Sequence, residues 1–202
     1  MGSMSTTTIN RCVASLLQTV ARFFKGASGP KCPDCSSVLI DDTCPNLDCP
    51  LKVAEWLVRW SSPEGVDIPA LGQLEVAQLA GLRLVLHPGE LYELGPGDWE
   101  RLEGVAAGRL AEIHAQLEAS KSAEPSALLY GLNLPGVDEG LAKRLVTEFG
   151  DIDALRGAKP ESLQTIDGID EPLSFEIRRW FRDSVNLKAL KMLEQNGFCF
   201  GD

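Results

Sequence analysis

The residues best equipped for chemistry in this chain are its cysteines. Four of the six fall within eighteen positions, as Cys32-x2-Cys35-x8-Cys44-x4-Cys49. Two short knuckles facing each other deliver four thiolates to the corners of a tetrahedron, the donor set of structural zinc. Pro33 and Pro45 follow the first cysteine of each pair and stiffen the turns. Between the knuckles, Ser37–Ile40 (SVLI) is expected to form a short strand and Asp41-Asp42 a turn. Four sulfur ligands leave no coordination position for substrate, so a zinc here organises structure. The alternative is two disulfides of an extracellular module; the adjacent pairs and the lack of a convincing secretion signal weigh against it. Cys12 and Cys199 stand apart and read as free thiols in helical or apolar surroundings.

No other constellation points to catalysis. The sequence holds neither a phosphate loop ending in Gly-Lys-Ser/Thr nor a G-x-G-x-x-G turn after a strand. His87 and His114 lie far from the cysteines, and His87-Pro88 reads as a turn. The net charge is -10, which argues against binding polyanions by bulk attraction. Residues 1–30 carry +3, residues 31–60 carry -2, residues 61–124 carry -7 and residues 125–202 carry -4. Contact with nucleic acid would therefore need a local basic or backbone-amide surface.

The elements that would position such a surface come from a repeat. MGSM at the start reads as an expression remnant before a native Met4. Cys12–Phe24 (CVASLLQTVARFF) is apolar on one face but broken by Gln18, Thr19 and Arg22, which suits an amphipathic docking helix better than a signal. Further on, DIPALGQLEVAQL, LEGVAAGRLAEIHAQL, LPGVDEGLAKRLVTEF and IDGIDEPLSFEIRRWF align. With Ala70, Gly104, Gly136 and Gly168 taken as equivalent, the steps are 34, 32 and 32 residues. Helical stretches precede the turns at Val53–Trp60, Asp98–Leu102, Ser126–Leu132 and Pro160–Thr165. Helix, tight turn, helix, four times over, predicts neighbours stacked into one all-helical domain. Trp56 and Trp60 share a helix face and are expected to seat the zinc module against the first hairpin, while Trp99 and Trp180 are expected in the core.

A small-residue turn opening into a helix N-terminus offers free amides and the positive end of the helix dipole to an anion. A backbone phosphate fits there without base readout. The candidate DNA-binding residues are accordingly Gly72, Gly104, Gly136 and Gly168 in the turns, with Arg109, Lys143, Arg144 and Arg178 on the helices that follow.

These features together resemble the C-terminal half of bacterial NAD-dependent DNA ligases. CPNLDC followed by Pro50, EWLVRWSSPEGVDIPALG, HPGELYEL, LEASK, LLYGLNLPGV, LVTEFGDIDAL and LQTIDGI carry the resemblance across about residues 30 to 197. It implies a mainly α fold in which a small four-cysteine zinc finger precedes a compact domain of four helix-hairpin-helix repeats. The expected division is residues 1–30 as tag remnant and amphipathic helix, 31–60 as zinc finger and linking helix, and 61–202 as the repeat domain. The family's adenylation domain carries a catalytic lysine in a K-x-D-G motif, which is missing here, as are its oligonucleotide-binding barrel and its BRCT module. The resemblance thus implies a non-catalytic, cytoplasmic, nucleoid-associated protein. It would grip duplex or nicked DNA through backbone phosphates, without sequence preference, beside a separate repair or replication enzyme.

Each turn departs from the family's Gly-x-Gly: Ala70-Leu71-Gly72, Gly104-Val105-Ala106, Gly136-Val137-Asp138 and Gly168-Ile169-Asp170. An aspartate at the third place is expected to cap the following helix and to set a carboxylate where a phosphate would sit. That departure, with the acidic charge, supports a second reading: a protein-interaction module in which DNA binding has been lost.

Overall fold

The structure, a computed structural model, describes residues 29–201. The expected helix over Cys12–Phe24 and the surroundings of Cys12 lie outside the described residues. The chain divides into Met1–Asn46 and Leu47–Asp202.

In the first unit, reciprocal bonds of 2.9 Å join the amides and carbonyls of Ile40 and Thr43. Asp41 and Asp42 between them both adopt positive φ, +47° and +58°, the pattern of a tight two-residue hairpin turn. The turn expected there is present. The strand expected over Ser37–Ile40 is not: Val38 pairs only with Lys31, and Ile40 only with Thr43, as isolated bridges. Ser36 also turns at φ +60°, so sharp reversals on both sides leave no length for a ladder.

The second unit is helical. Helix α1 (Pro50–Ser61) starts with proline at its first position, where the missing N–H costs nothing. Its inner face is Val53, Leu57, Trp60 and Ser61, all buried, at the spacing of a helical stripe. Helix α2 (Gln73–Gly81), a 3-10 turn (Pro88–Glu93) and the short α3 (Pro96–Trp99) follow. Then come α4 (Ala107–Ser120), α5 (Pro125–Gly131), α6 (Glu139–Phe149) and α7 (Ile152–Gly157). The chain closes with α8 (Pro160–Leu163), α9 (Glu171–Trp180) and α10 (Ser184–Gln195).

The repeat register is the one read from the sequence. Gly72, Ala106, Asp138 and Asp170 each stand two residues after the reference position, and each is the N-cap of its helix: α2, α4, α6 and α9. Gly104, Gly136 and Gly168 take φ of +78°, +66° and +93°, where a side chain would be strained. Turn one differs, reversing at Asp67 with φ +52°. Leu57, Ile68, Leu79, Ile113, Leu145 and Ile177 are fully buried, so every repeat feeds one shared core.

Trp99 and Trp180 are buried as expected. Trp56 and Trp60 share a face, and that face meets α5: Trp56 Nε1 donates to Gly131 O at 3.1 Å. A Cβ placed on Gly131 would come within 2.9 Å of the Trp60 ring. The two indoles therefore join the first hairpin to the third. Trp60 Nε1 also donates to Tyr92 Oη (3.2 Å), which bonds Ser120 Oγ (2.7 Å), and Ser120 in turn donates to Leu117 O. Burial pushes the Tyr92 phenol up to about 12, so it stays a donor throughout the usual pH range.

His87 is a loop residue, but it is buried rather than a surface turn, only 2% exposed. Neither ring nitrogen has a hydrogen-bond partner, and Nε2 lies 3.5 Å from Glu90 Oε1. Desolvation pushes the imidazole below its ordinary 6.5; Glu90 pulls the other way and Lys188 adds to the lowering. The neutral ring is thus the folded form. On acidification the unfolded chain takes up the proton first. Stability is therefore expected to be full above about pH 6.5 and to fall as pH drops towards the lowered folded value. Comparing urea midpoints at about pH 7.5 and pH 5 checks this: His87→Leu should show a smaller acid loss than the unsubstituted chain.

Candidate metal centre and nucleic-acid interface

Cys32, Cys35, Cys44 and Cys49 bring their sulfurs within 4.8 Å of one another. Cys32 and Cys49 are buried. Four thiolates at about 2.3 Å from one ion stand about 3.8 Å apart; Cys35 and Cys44 stand 3.4 Å apart. That is far longer than a disulfide bond of about 2.05 Å, and none of the described cysteines forms one. Hydrogen bonding to the Ser37 side chain, then to its backbone, lowers the Cys35 thiol to about 6. The set is all sulfur and close to tetrahedral spacing, and it could hold a metal ion. Cys199, by contrast, is exposed, its thiol donating to Gly201 O. It is in neither the helical nor the apolar setting expected for it: the last helix ends at Gln195, and Phe198 and Phe200 on either side take the buried positions.

The four turns have different fates. At turn one, a Cβ on Gly72 would lie 2.9 Å from Glu75 Oε2 and 3.6 Å from Arg109 Nη2. Arg109, carried by α4, reaches back to this turn: its Nε is 3.7 Å from Glu75 Oε1, and Nη2 donates to Pro69 O. It also faces Glu112 at 3.8 Å. Turn one is thus covered by a carboxylate and its counter-ion. Sequence reasoning missed Glu75, although an acid in the third helical position is the usual place for one that folds back on the cap.

Turn two is open. A Cβ on Gly104 or on Gly108 would meet nothing within 4 Å. Ala106 caps α4 without a side-chain bond, and the first turn of α4 has no acid. At turn three, Gly136 is pressed by α9, where Leu173 Cδ1 would lie 2.7 Å from an added Cβ. Asp138 Oδ1 accepts from the Leu141 amide at 2.7 Å, and at turn four Asp170 Oδ1 accepts from Leu173 at 2.9 Å. Both aspartates cap as expected, and each consumes an amide that an anion would otherwise use.

Of the basic candidates, Lys143 pairs with Glu139 on its own helix. Arg178 is half-buried and donates to Ala158 O. Arg144 is exposed and spans two turns: Cβ atoms on Gly168 and Gly140 would lie 3.4 Å from its Nη2 and 3.6 Å from its Nη1. Among the described residues it makes no ion pair. The structure therefore brings Arg109 to turn one and Arg144 to turn four, and draws Lys143 and Arg178 into contacts with their own neighbours.

This arrangement of hairpins can be compared with known proteins. Residues 127–190, which contain turns three and four, match the helix-hairpin-helix motif family. A DNA ligase of Synechococcus sp. (strain JA-3-3Ab) is 31% identical over 82% of this chain. The chain is similar to the DNA ligases over most of its own length. The ligase of Natronomonas pharaonis is likewise 31% identical over 83% of the chain, and that of Geotalea uraniireducens (strain Rf4) 26% over 92%. The resemblance read from the motifs stands: a cysteine knuckle pair ahead of helix-hairpin-helix repeats, in a mainly α fold. The chain spans only about a quarter of these ligases, 26%, 25% and 29% of their lengths. No described helix is long and apolar enough to cross a membrane.

Proposed function

We propose that this chain is a non-catalytic DNA-binding protein that holds duplex or nicked DNA by its backbone phosphates, without sequence preference. The observation that carries this reading is turn two, a helix N-terminus with open space at Gly104 and Gly108 and no carboxylate in its first turn. The uncommitted Arg144 beside Gly168 adds a cation to the same set of hairpins. The frame is one shared with proteins named as DNA ligases.

The cysteine cluster, in this reading, holds one zinc through Cys32, Cys35, Cys44 and Cys49. When bound, the ion cross-links the two knuckles, and all four positions are filled by sulfur. The chain works in the cytoplasm on the nucleoid, supplying grip to a separate repair or replication enzyme.

A second reading, protein docking with DNA binding lost, is favoured by the carboxylates at turns one, three and four. Titrating nicked duplex at low salt and then raising the salt separates the two. The first predicts affinity that falls with a log–log slope of roughly -0.9 for each phosphate contacted. Absence of binding at low salt would leave only the second.

A further inference from the structure

Helix α1 does more than line the core. At i, i+3 and i+4 it presents Trp56, Arg59 and Trp60 to the end of α5 and to the turn beyond it. The half-buried Arg59 makes three contacts there. Its Nε donates to Tyr130 O at 2.8 Å, its Nη2 donates to Val137 O, and its guanidinium lies 4.0 Å from the Tyr130 ring centroid. With Trp56 on Gly131 O, two carbonyls at the end of α5 accept from side chains more than 70 residues away, Tyr130 O also accepting from the Asn133 amide at 3.1 Å. The planar fork can bond two carbonyls while lying on a ring, which a lysine cannot do.

The third contact matters most. Val137 is the middle residue of turn three, and its own amide is already bonded to Leu134 O. Because the peptide unit is planar and trans, fixing the Val137 carbonyl fixes the Asp138 N–H on the opposite side. That N–H makes no bond to protein among the described residues, whereas the Asp138 side chain and carbonyl hold the Leu141 and Ala142 amides. Arg59 thus sets the direction of one of the donors that turn three still offers, beside the Glu139 and Gly140 amides at the start of α6.

We propose that Arg59 is the positioning residue of the third turn: it comes from the first hairpin and aims the Asp138 amide at a phosphate of bound DNA. This rests on the DNA-binding reading above. Pre-aimed donors bind without an ordering cost, so losing the clamp weakens binding without removing a contact.

The test compares Arg59→Lys and Arg59→Gln with the unsubstituted chain, using nicked duplex affinity across a salt series and amide exchange at Leu141 and Ala142. Affinity should fall about tenfold in both variants, with the salt slope unchanged. Exchange at Leu141 and Ala142 should accelerate while that in α2 does not. Unchanged affinity and exchange would overturn the proposal. A salt slope smaller by about one would also overturn it, since Arg59 would then be a phosphate contact itself. If the unsubstituted chain does not bind DNA, the functional reading fails, and the exchange data still decide whether Arg59 holds the turn.

Discussion

Replacing Asp138 and Asp170 together by glycine is expected to tighten binding to nicked duplex while barely changing stability. Each carboxylate caps its helix through one bond, of 2.7 Å and 2.9 Å respectively. Glycine is itself an acceptable N-cap, so each change costs only a few tenths of a kcal/mol. A phosphate brought to about 4 Å from either carboxylate is repelled by about 1 kcal/mol in water and about 4 kcal/mol near a protein surface. Even the lower figure, taken twice, corresponds to about thirtyfold in affinity. The converse change is Ala106→Asp, which installs a cap where α4 has none. It should raise stability by about 1 kcal/mol and weaken binding about tenfold. Stability and affinity then move in opposite directions at turn two, which a folding defect cannot imitate. Gly104→Asp is the poorer probe, because the backbone there sits at φ +78° and the substitution strains it. Thermal unfolding and fluorescence anisotropy on the same preparations check both signs. Affinity that merely follows stability would show that these caps face away from DNA.

The largest effect on the first unit should come from Cys35→Ser combined with Cys44→Ser. Their sulfurs are 3.4 Å apart within the cluster, and losing both leaves two ligands where four are needed. Structural zinc contributes on the order of 10 kcal/mol to the folding of small knuckle peptides, and the described part of this unit has few other means of support. Isolated bridges and short turns, among them Ser36 N–H to Cys32 O at 2.9 Å, hold residues 31 to 43. Elemental analysis should give about one zinc per chain for the unsubstituted protein and almost none for the double variant. Exchange at the Cys32 and Ile40 amides, bonded to Ser37 O and Thr43 O, should become fast in the variant. Zinc retained by the double variant would show that other groups hold it.

Much of this was legible in the sequence because it rests on local rules. A positive-φ glycine two places before an N-cap recurs at fixed steps, so the repeat and the caps at Asp138 and Asp170 could be read from spacing alone. The cysteine spacing and the Asp41-Asp42 turn are equally local. What could not be read depends on contacts distant in sequence. Trp56 and Trp60 announce a buried face but not its partner, which is α5. His87 looks like a loop residue, and only the packing around the 3-10 turn buries it. Glu75 and Arg109 are 34 positions apart, so nothing local reveals that they cover turn one together. The apolar setting expected for Cys199 failed on a two-residue alternation, with buried phenylalanines on either side turning the thiol out. The strand expected over Ser37–Ile40 failed because two reversals leave room only for isolated bridges, Val38 to Lys31 and Ile40 to Thr43.

The most direct test of the central claim, that these hairpins hold DNA by its phosphates and that turn two leads, is amide and guanidinium chemical-shift mapping. A short nicked duplex is added to the isotopically labelled protein at low salt. The largest shifts are expected at Val105–Leu110 and at the Arg144 side chain, the same for duplexes of unrelated sequence. Shifts gathered elsewhere with turn two silent, or none at all, would contradict it.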